Sequence, residues 1–207
     1  MKEKTHLGNR LLSVLLTFLM LLSLLPSAAL AADTQQIALM AVTQDGFLIE
    51  PEYVTYHSGD TVKDVLKKSG HTFSGIDSGY ITAVDGTTDN FSIHYDEDGY
   101  KLDQSADGLT AIWFTTNSDQ SHGANLQKLA ANMAVYNTAT NGLKDYKAAQ
   151  EAYDAAVKGF YAATDTKAKT LNDALFSAID KYAKFLEGKT TPLTISATMG
   201  GEAITPG

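Results

Sequence analysis

The chain has 207 residues, and 44% of them are hydrophobic against 19% charged, a globular balance that excludes intrinsic disorder as the main state. Its 16 basic and 24 acidic residues give a formal charge of −8, and Arg10 is its one arginine, which argues against nucleic acid and anionic membrane surfaces as partners. No cysteine is present, so disulfides, thiolate chemistry and a lipid-anchored lipoprotein are excluded, and the composition suits a bacterial envelope better than a disulfide-stapled secreted domain.

At the N-terminus, residues 1–10 are short and net basic, and they lead into the apolar run 11–25. Pro26 breaks the run, and Ala29 and Ala31 provide the small-x-small pattern that a signal peptidase accepts. The run is shorter than the roughly 20 residues that span a bilayer. A signal peptide over residues 1–31, cleaved after Ala31, is therefore expected, with a secreted or cell-surface location and no stable membrane insertion afterwards. Cleavage removes Lys2, Lys4, Arg10 and Glu3, leaving 13 basic and 23 acidic residues and a net charge of −10.

Residues 32–117 are rich in Tyr, Ile, Val, Thr and Gly. The apolar stretch 36–43, the turn signal Gln44-Asp45-Gly46 and Phe47-Leu48-Ile49 predict a hairpin, continued by Tyr53-Val54-Thr55-Tyr56 with Pro51 marking an edge or a bend. In GDTVKDVLKKSG, residues 59–70, Asp60 or Thr61 caps a short helix whose Val62, Val65 and Leu66 share one face, and Gly70 stops it. Alone it is too short to persist, so that face must lie on a sheet, leaving Lys63, Lys67 and Lys68 as a small basic face. Strands are predicted at 80–84, ending at Asp85-Gly86, and at 91–95. The acidic turn Asp96-Glu97-Asp98-Gly99 and residues 100–102 follow, and Leu109 to Phe114 closes the sheet with the one Trp.

After Asn117 the composition turns to Ala and Lys, and the polar segment 117–123 predicts a domain linker crossed by few contacts. Leu126, Leu129, Met133 and Tyr136 mark one helix; Leu143, Tyr146, Tyr153, Val157 and Phe160 a second; Leu171, Leu175, Ile179, Tyr182 and Leu186 a third, capped at Thr164-Asp165 and ending at Gly188. Residues 118–189 are thus expected to form a helical bundle. Residues 190–207 are expected to open a further β module or tail of a longer protein, since a lone hairpin is marginal in water.

The GDTVKDVL helix opening, GYITAVDG and DGLTAIWF, in this order over residues 36–117, resemble the ubiquitin-like β-grasp module related to the C-terminal domain of transcobalamin-type proteins, which occurs in many bacterial surface proteins. In cobalamin carriers that module works beside a large helical toroid, which the rest of this chain is too short to supply, so neither cobalamin nor another cofactor is expected. LKDYKAAQEAYDAAVKGFYAAT and LNDALFSAIDKY resemble the FIVAR-type helical repeats of bacterial surface proteins, which implies a spacer. The expected class is α+β: a β-grasp-like mixed sheet with one short helix, then a small antiparallel three-helix bundle.

Catalytic signals are weak. His57, His71, His94 and His122 do not pair at the helical spacing of a zinc site and read as solvent-facing; no Gly-x-Ser-x-Gly elbow occurs; and the acidic residues 96–98, with Asp85 and Asp89, lack the alternation of a calcium loop. No catalytic residue and no metal ligand is assigned. Of the ten Tyr, Tyr95, Tyr146, Tyr153 and Tyr182 fall on core-facing positions, whereas Tyr53, Tyr56, Tyr80 and Tyr100 are left as candidate ligand-binding faces for sugars or extended peptides. The expected function is an exported, non-enzymatic module on a helical spacer of a larger envelope protein, its partner an extracellular glycan or protein. Alternatives are an accessory region of a secreted polysaccharide-active enzyme and a purely structural stalk.

Overall fold

A computed structural model describes residues 34–95, 101–120, 123–189, 198–199 and 202–203. The expected leader, the acidic turn at 96–99, Tyr100, His122 and most of the expected C-terminal module lie outside the described residues. Within them the chain is α+β, as expected.

Strands β1 (Thr34–Thr43) and β2 (Gly46–His57) form the expected hairpin, and β2 runs on through Pro51. A proline is accommodated there because β2 is the outermost strand and its register slips opposite Leu39 and Ala41. Helix α1 (Val62–Lys68) follows. The Thr61 hydroxyl accepts from Asp64 N–H (3.2 Å) while the Asp64 carboxylate accepts from Thr61 N–H (3.0 Å), a closed capping box, and Val62, Val65 and Leu66 are all buried.

Three two-residue strands come next, β3 (Phe73–Ser74), β4 (Ala83–Val84) and β5 (Thr87–Thr88), in a small antiparallel sheet. Asp85 and Gly86 both take positive φ (47° and 80°), so the Asp-Gly pair is the reversal of the β4–β5 hairpin. The strand expected from Tyr80 shrinks to Ala83–Val84, and Tyr80 to Thr82 follow the 3-10 turn of residues 76–78 without strand pairing. Strands β6 (Ser92–His94) and β7 (Ala111–Thr115) complete a main sheet of order β2-β1-β7-β6, in which β1 and β7 run parallel at the centre and the outer pairs are antiparallel.

Three further helices, α2 (Ala124–Thr138), α3 (Lys147–Phe160) and α4 (Asp165–Lys189), contact one another, and α2 also lies on β1, β2 and β7. Residues 37–42 of β1 are buried without a break, so both faces of the sheet are covered. Ile37, Leu39 and Ala41, with Ile112 and Phe114 of β7, pack on the α1 side. Ala38, Met40 and Val42, with Ala111 and Trp113, pack in a single core with Leu126, Met133, Phe160 and Leu175 of the three helices.

The segment expected to be a sparsely connected linker is a bolt between the two sides. Gln120 is 4% exposed; its Oε1 accepts from Trp113 Nε1–H (3.1 Å) and its Nε2 donates to Phe160 O (2.6 Å). Asn117 Nδ2 donates to Tyr161 O (2.8 Å). Asp165, at the start of α4, accepts from Asn125 N–H (3.0 Å) and Nδ2 (2.6 Å), so the first turn of α2 is capped by a carboxylate from another helix. Of the expected C-terminal module, Thr198–Met199 (β8) pairs antiparallel with Glu202–Ala203 (β9). No helix among the described residues is long and apolar enough to cross a membrane.

Candidate functional site

The described residues frame an open cleft of about 850 Å³, lined by three short segments that are separate in sequence: 79–81, 91–94 and 101–104. The first wall is set by glycine. Gly75 and Gly79 hold φ of 83° and 85° at the two ends of the 3-10 turn, and a Cβ on Gly75 would come within 2.1 Å of the Tyr80 carbonyl oxygen. Only a residue without a side chain lets the turn close on Tyr80 in this way. Inside the turn, Asp77 takes Lys67 Nζ at 2.9 Å and Lys63 Nζ at 3.0 Å, both from α1, and these ammonium groups hold its carboxyl below the ordinary range. The turn thereby presents the Tyr80 ring 77% exposed.

The opposite wall, residues 101–104, hangs from the same helix. Val62 N–H donates to Gln104 O (2.9 Å) and Lys63 N–H to Leu102 O (2.8 Å), which satisfies first-turn donors that a helix cannot pair internally. Tyr95 Oη, on a fully buried ring, donates to Lys101 O (2.7 Å). Phe91 and Ile93 flank the cleft half-buried, and the buried His94 ring stacks on Trp113 with centroids 5.3 Å apart. Helix α1 therefore braces both walls, one through side-chain ammonium groups and the other through backbone N–H groups. The basic face expected on this helix is consumed in doing so, since Lys63 and Lys67 bind Asp77 and Lys68 binds Asp60.

The three described candidate tyrosines do not come together. Tyr56 is 1% exposed, with its hydroxyl donating to Gln35 Oε1 (2.9 Å) or Ala106 O (3.1 Å), and its ring offers no open face. Tyr53 packs half-buried against the helical side, its Oη donating to Ala131 O (3.2 Å), and burial pushes its phenol well above the ordinary range. Tyr100 lies outside the described residues. Among the three described candidates, Tyr80 alone lines the cleft. Its polar companions Lys101, Asp103 and Gln104 carry no local sequence signal, because only the fold brings them to the same cleft as Tyr80.

The histidines divide differently from the solvent-facing expectation. His57 is exposed, His94 is buried, and His71 is half-buried between two carboxylates, Glu52 Oε1 at 3.2 Å from Nε2 and Asp85 Oδ2 at 2.7 Å from Nδ1. Burial raises the Asp85 carboxyl, but Thr72 N–H and His71 outweigh it and leave the group below its ordinary value. Because the two carboxylates sit on opposite ring nitrogens, they do not converge on a common ion, and no group of three metal-ligating side chains occurs among the described residues. This cluster ties β2, the loop after α1 and the β4–β5 turn together. No protein-family model matches the chain, and no curated protein matches it.

Proposed function

We propose that the chain is an exported, non-enzymatic binding module of a larger envelope protein, and that it binds its extracellular partner in the cleft beside Tyr80. One observation carries this reading: a large aromatic ring is held 77% exposed over a cleft whose two walls are both pinned to α1. Beside the exposed Tyr80 ring the cleft is lined by Ile81, Phe91 and Ile93, so together they offer a ligand an apolar floor with polar groups at its edge. The fold proposed for it is β-grasp-like, supported by the order β2-β1-β7-β6 with the first and last strands parallel at the centre and α1 between them in sequence. The three later helices form a bundle seated on the sheet rather than a detached spacer. Export is proposed from the basic, apolar and small-residue succession of residues 1–31.

The test has two readings on the protein expressed from its own leader. N-terminal sequencing of the exported material should begin at Ala32, and fluorescently labelled protein should bind intact cells or cell-wall preparations, with Tyr80→Ala reducing that binding about tenfold or more. Cell-surface binding that Tyr80→Ala leaves unchanged would sink the cleft as the site; an intact leader on the mature protein would sink the export reading.

A further inference from the structure

Resting on that reading of the cleft, we infer that its ligand is a neutral glycan, a short run of pyranose rings without carboxylate, sulfate or phosphate groups. Three features select this class. The Tyr80 ring is flat and open, on a turn where Gly75 lies too close to the Tyr80 carbonyl for any side chain and where Asp77 pairs with Lys63 and Lys67. A pyranose presents an apolar C–H face that covers such a ring, together with a rim of hydroxyls that needs hydrogen-bonding groups alongside.

The second wall supplies that rim. Lys101 and Asp103 are exposed, so within one stretch of four residues the wall offers an ammonium donor and a carboxylate acceptor. Its backbone is fixed by Val62 N–H, Lys63 N–H and the Tyr95 hydroxyl, so little ordering is left for binding to impose.

Charge decides the remaining choice. Among the described residues that line the cleft there are one Lys and one Asp, and the chain outside residues 1–31 carries a net charge of −10 with no arginine. Anionic sugars would meet neither a bidentate guanidinium nor a favourable field. The volume, about 850 Å³, lies inside the roughly 300–1,000 Å³ range of small-ligand sites, so it admits a short oligosaccharide rather than a protein surface.

The experiment is isothermal titration of the full chain with cellotetraose, chitotetraose and maltotetraose as neutral probes, tetragalacturonate as the anionic probe, and an uncharged extended nonapeptide. The result expected is binding of at least one neutral tetrasaccharide, insensitive to salt, weakened about tenfold or more by Tyr80→Ala and less than about threefold by Tyr80→Phe, which keeps the ring. Asp103→Ala, at an exposed position, should weaken it as well without altering circular dichroism. Preferential binding of tetragalacturonate, or of the peptide, in a Tyr80-dependent way overturns the neutral-glycan class and leaves the cleft as a binding site. No binding of any probe overturns the class, and binding indifferent to Tyr80→Ala overturns both the class and the cleft.

Discussion

Replacing Gln120 by leucine tests whether sheet and helices fold as one unit. The side chain is buried, accepts from Trp113 Nε1–H at 3.1 Å and donates to Phe160 O at 2.6 Å. Leucine fills nearly the same space, so the loss is of hydrogen bonds more than of packing. Phe160 O retains the Ala163 N–H at 3.0 Å, whereas the indole N–H, on a fully buried ring, loses its acceptor. A stranded buried donor costs about 1–3 kcal/mol, and the second lost bond adds about 1 kcal/mol, for a total of about 2–4 kcal/mol. Urea unfolding of the full chain, followed by Trp113 fluorescence for the sheet and by far-ultraviolet circular dichroism for the helices, should show both midpoints falling together at unchanged slope. A loss below about 1 kcal/mol refutes the energetic account. A helical midpoint that stays at the wild-type value while the Trp113 signal moves refutes the shared core.

Val65→Asp places an unpaired charge in the fully buried face of α1, and the expected outcome is loss of both the sheet and the helical signals; retained helical dichroism would mean that the helices stand by themselves. Gly75→Ala combines a left-handed backbone position with a 2.1 Å approach to the Tyr80 carbonyl, so about 1–3 kcal/mol of stability and the geometry of the Tyr80 turn should both be lost, read by denaturation and by faster amide exchange over residues 75–82. Asp64, held low by the Thr61 hydroxyl and N–H, and Asp85 both have depressed folded-state carboxyl pKa values. Their stabilisation is present above the unfolded aspartate value near 3.9 and is lost as pH falls through the lower folded values, so melting temperature should drop from about pH 4 downward. Asp64→Asn should flatten that drop; an unchanged acid slope would show that the capping box does not contribute.

Much of the local structure was legible because it rests on short-range rules. The α1 face of Val62, Val65 and Leu66, a cap at Asp60 or Thr61 and the turn at residues 44–46 all follow from spacing and turn chemistry, and the buried Leu126, Leu129, Met133 and Tyr136 of α2 obey the helical period. The stretch Ile37-Ala-Leu-Met-Ala-Val42 is apolar throughout. An unbroken apolar run is the mark of a strand covered on both faces, and it announced that something beyond α1 must lie on the sheet. The change of composition at residue 117 hides this, because a polar segment suggests exposure while Gln120 satisfies its polarity inside the core. The cleft was legible only in part. Tyr80 stood out as an uncommitted aromatic, but so did Tyr53 and Tyr56, and which of the three meets water depends on contacts with Ala131 and Ala106 far along the chain. Conversely, the Asp85-Gly86 pair was noticed as a strand end when its consecutive positive φ values make it a hairpin reversal.

The parallel pairing of β1 with β7 also sets the order in which this chain can become a protein. Ala38 meets Ala111, and Met40 meets Trp113, so the most apolar stretch of the described chain has one neighbouring strand nearby and the other more than seventy positions later. Its second face is sealed only when α2 to α4 follow. Contacts this distant make folding slow, and until they form the stretch is open to wrong partners. The yield of folded protein should therefore depend on whatever shields residues 37–42 until the last helix arrives.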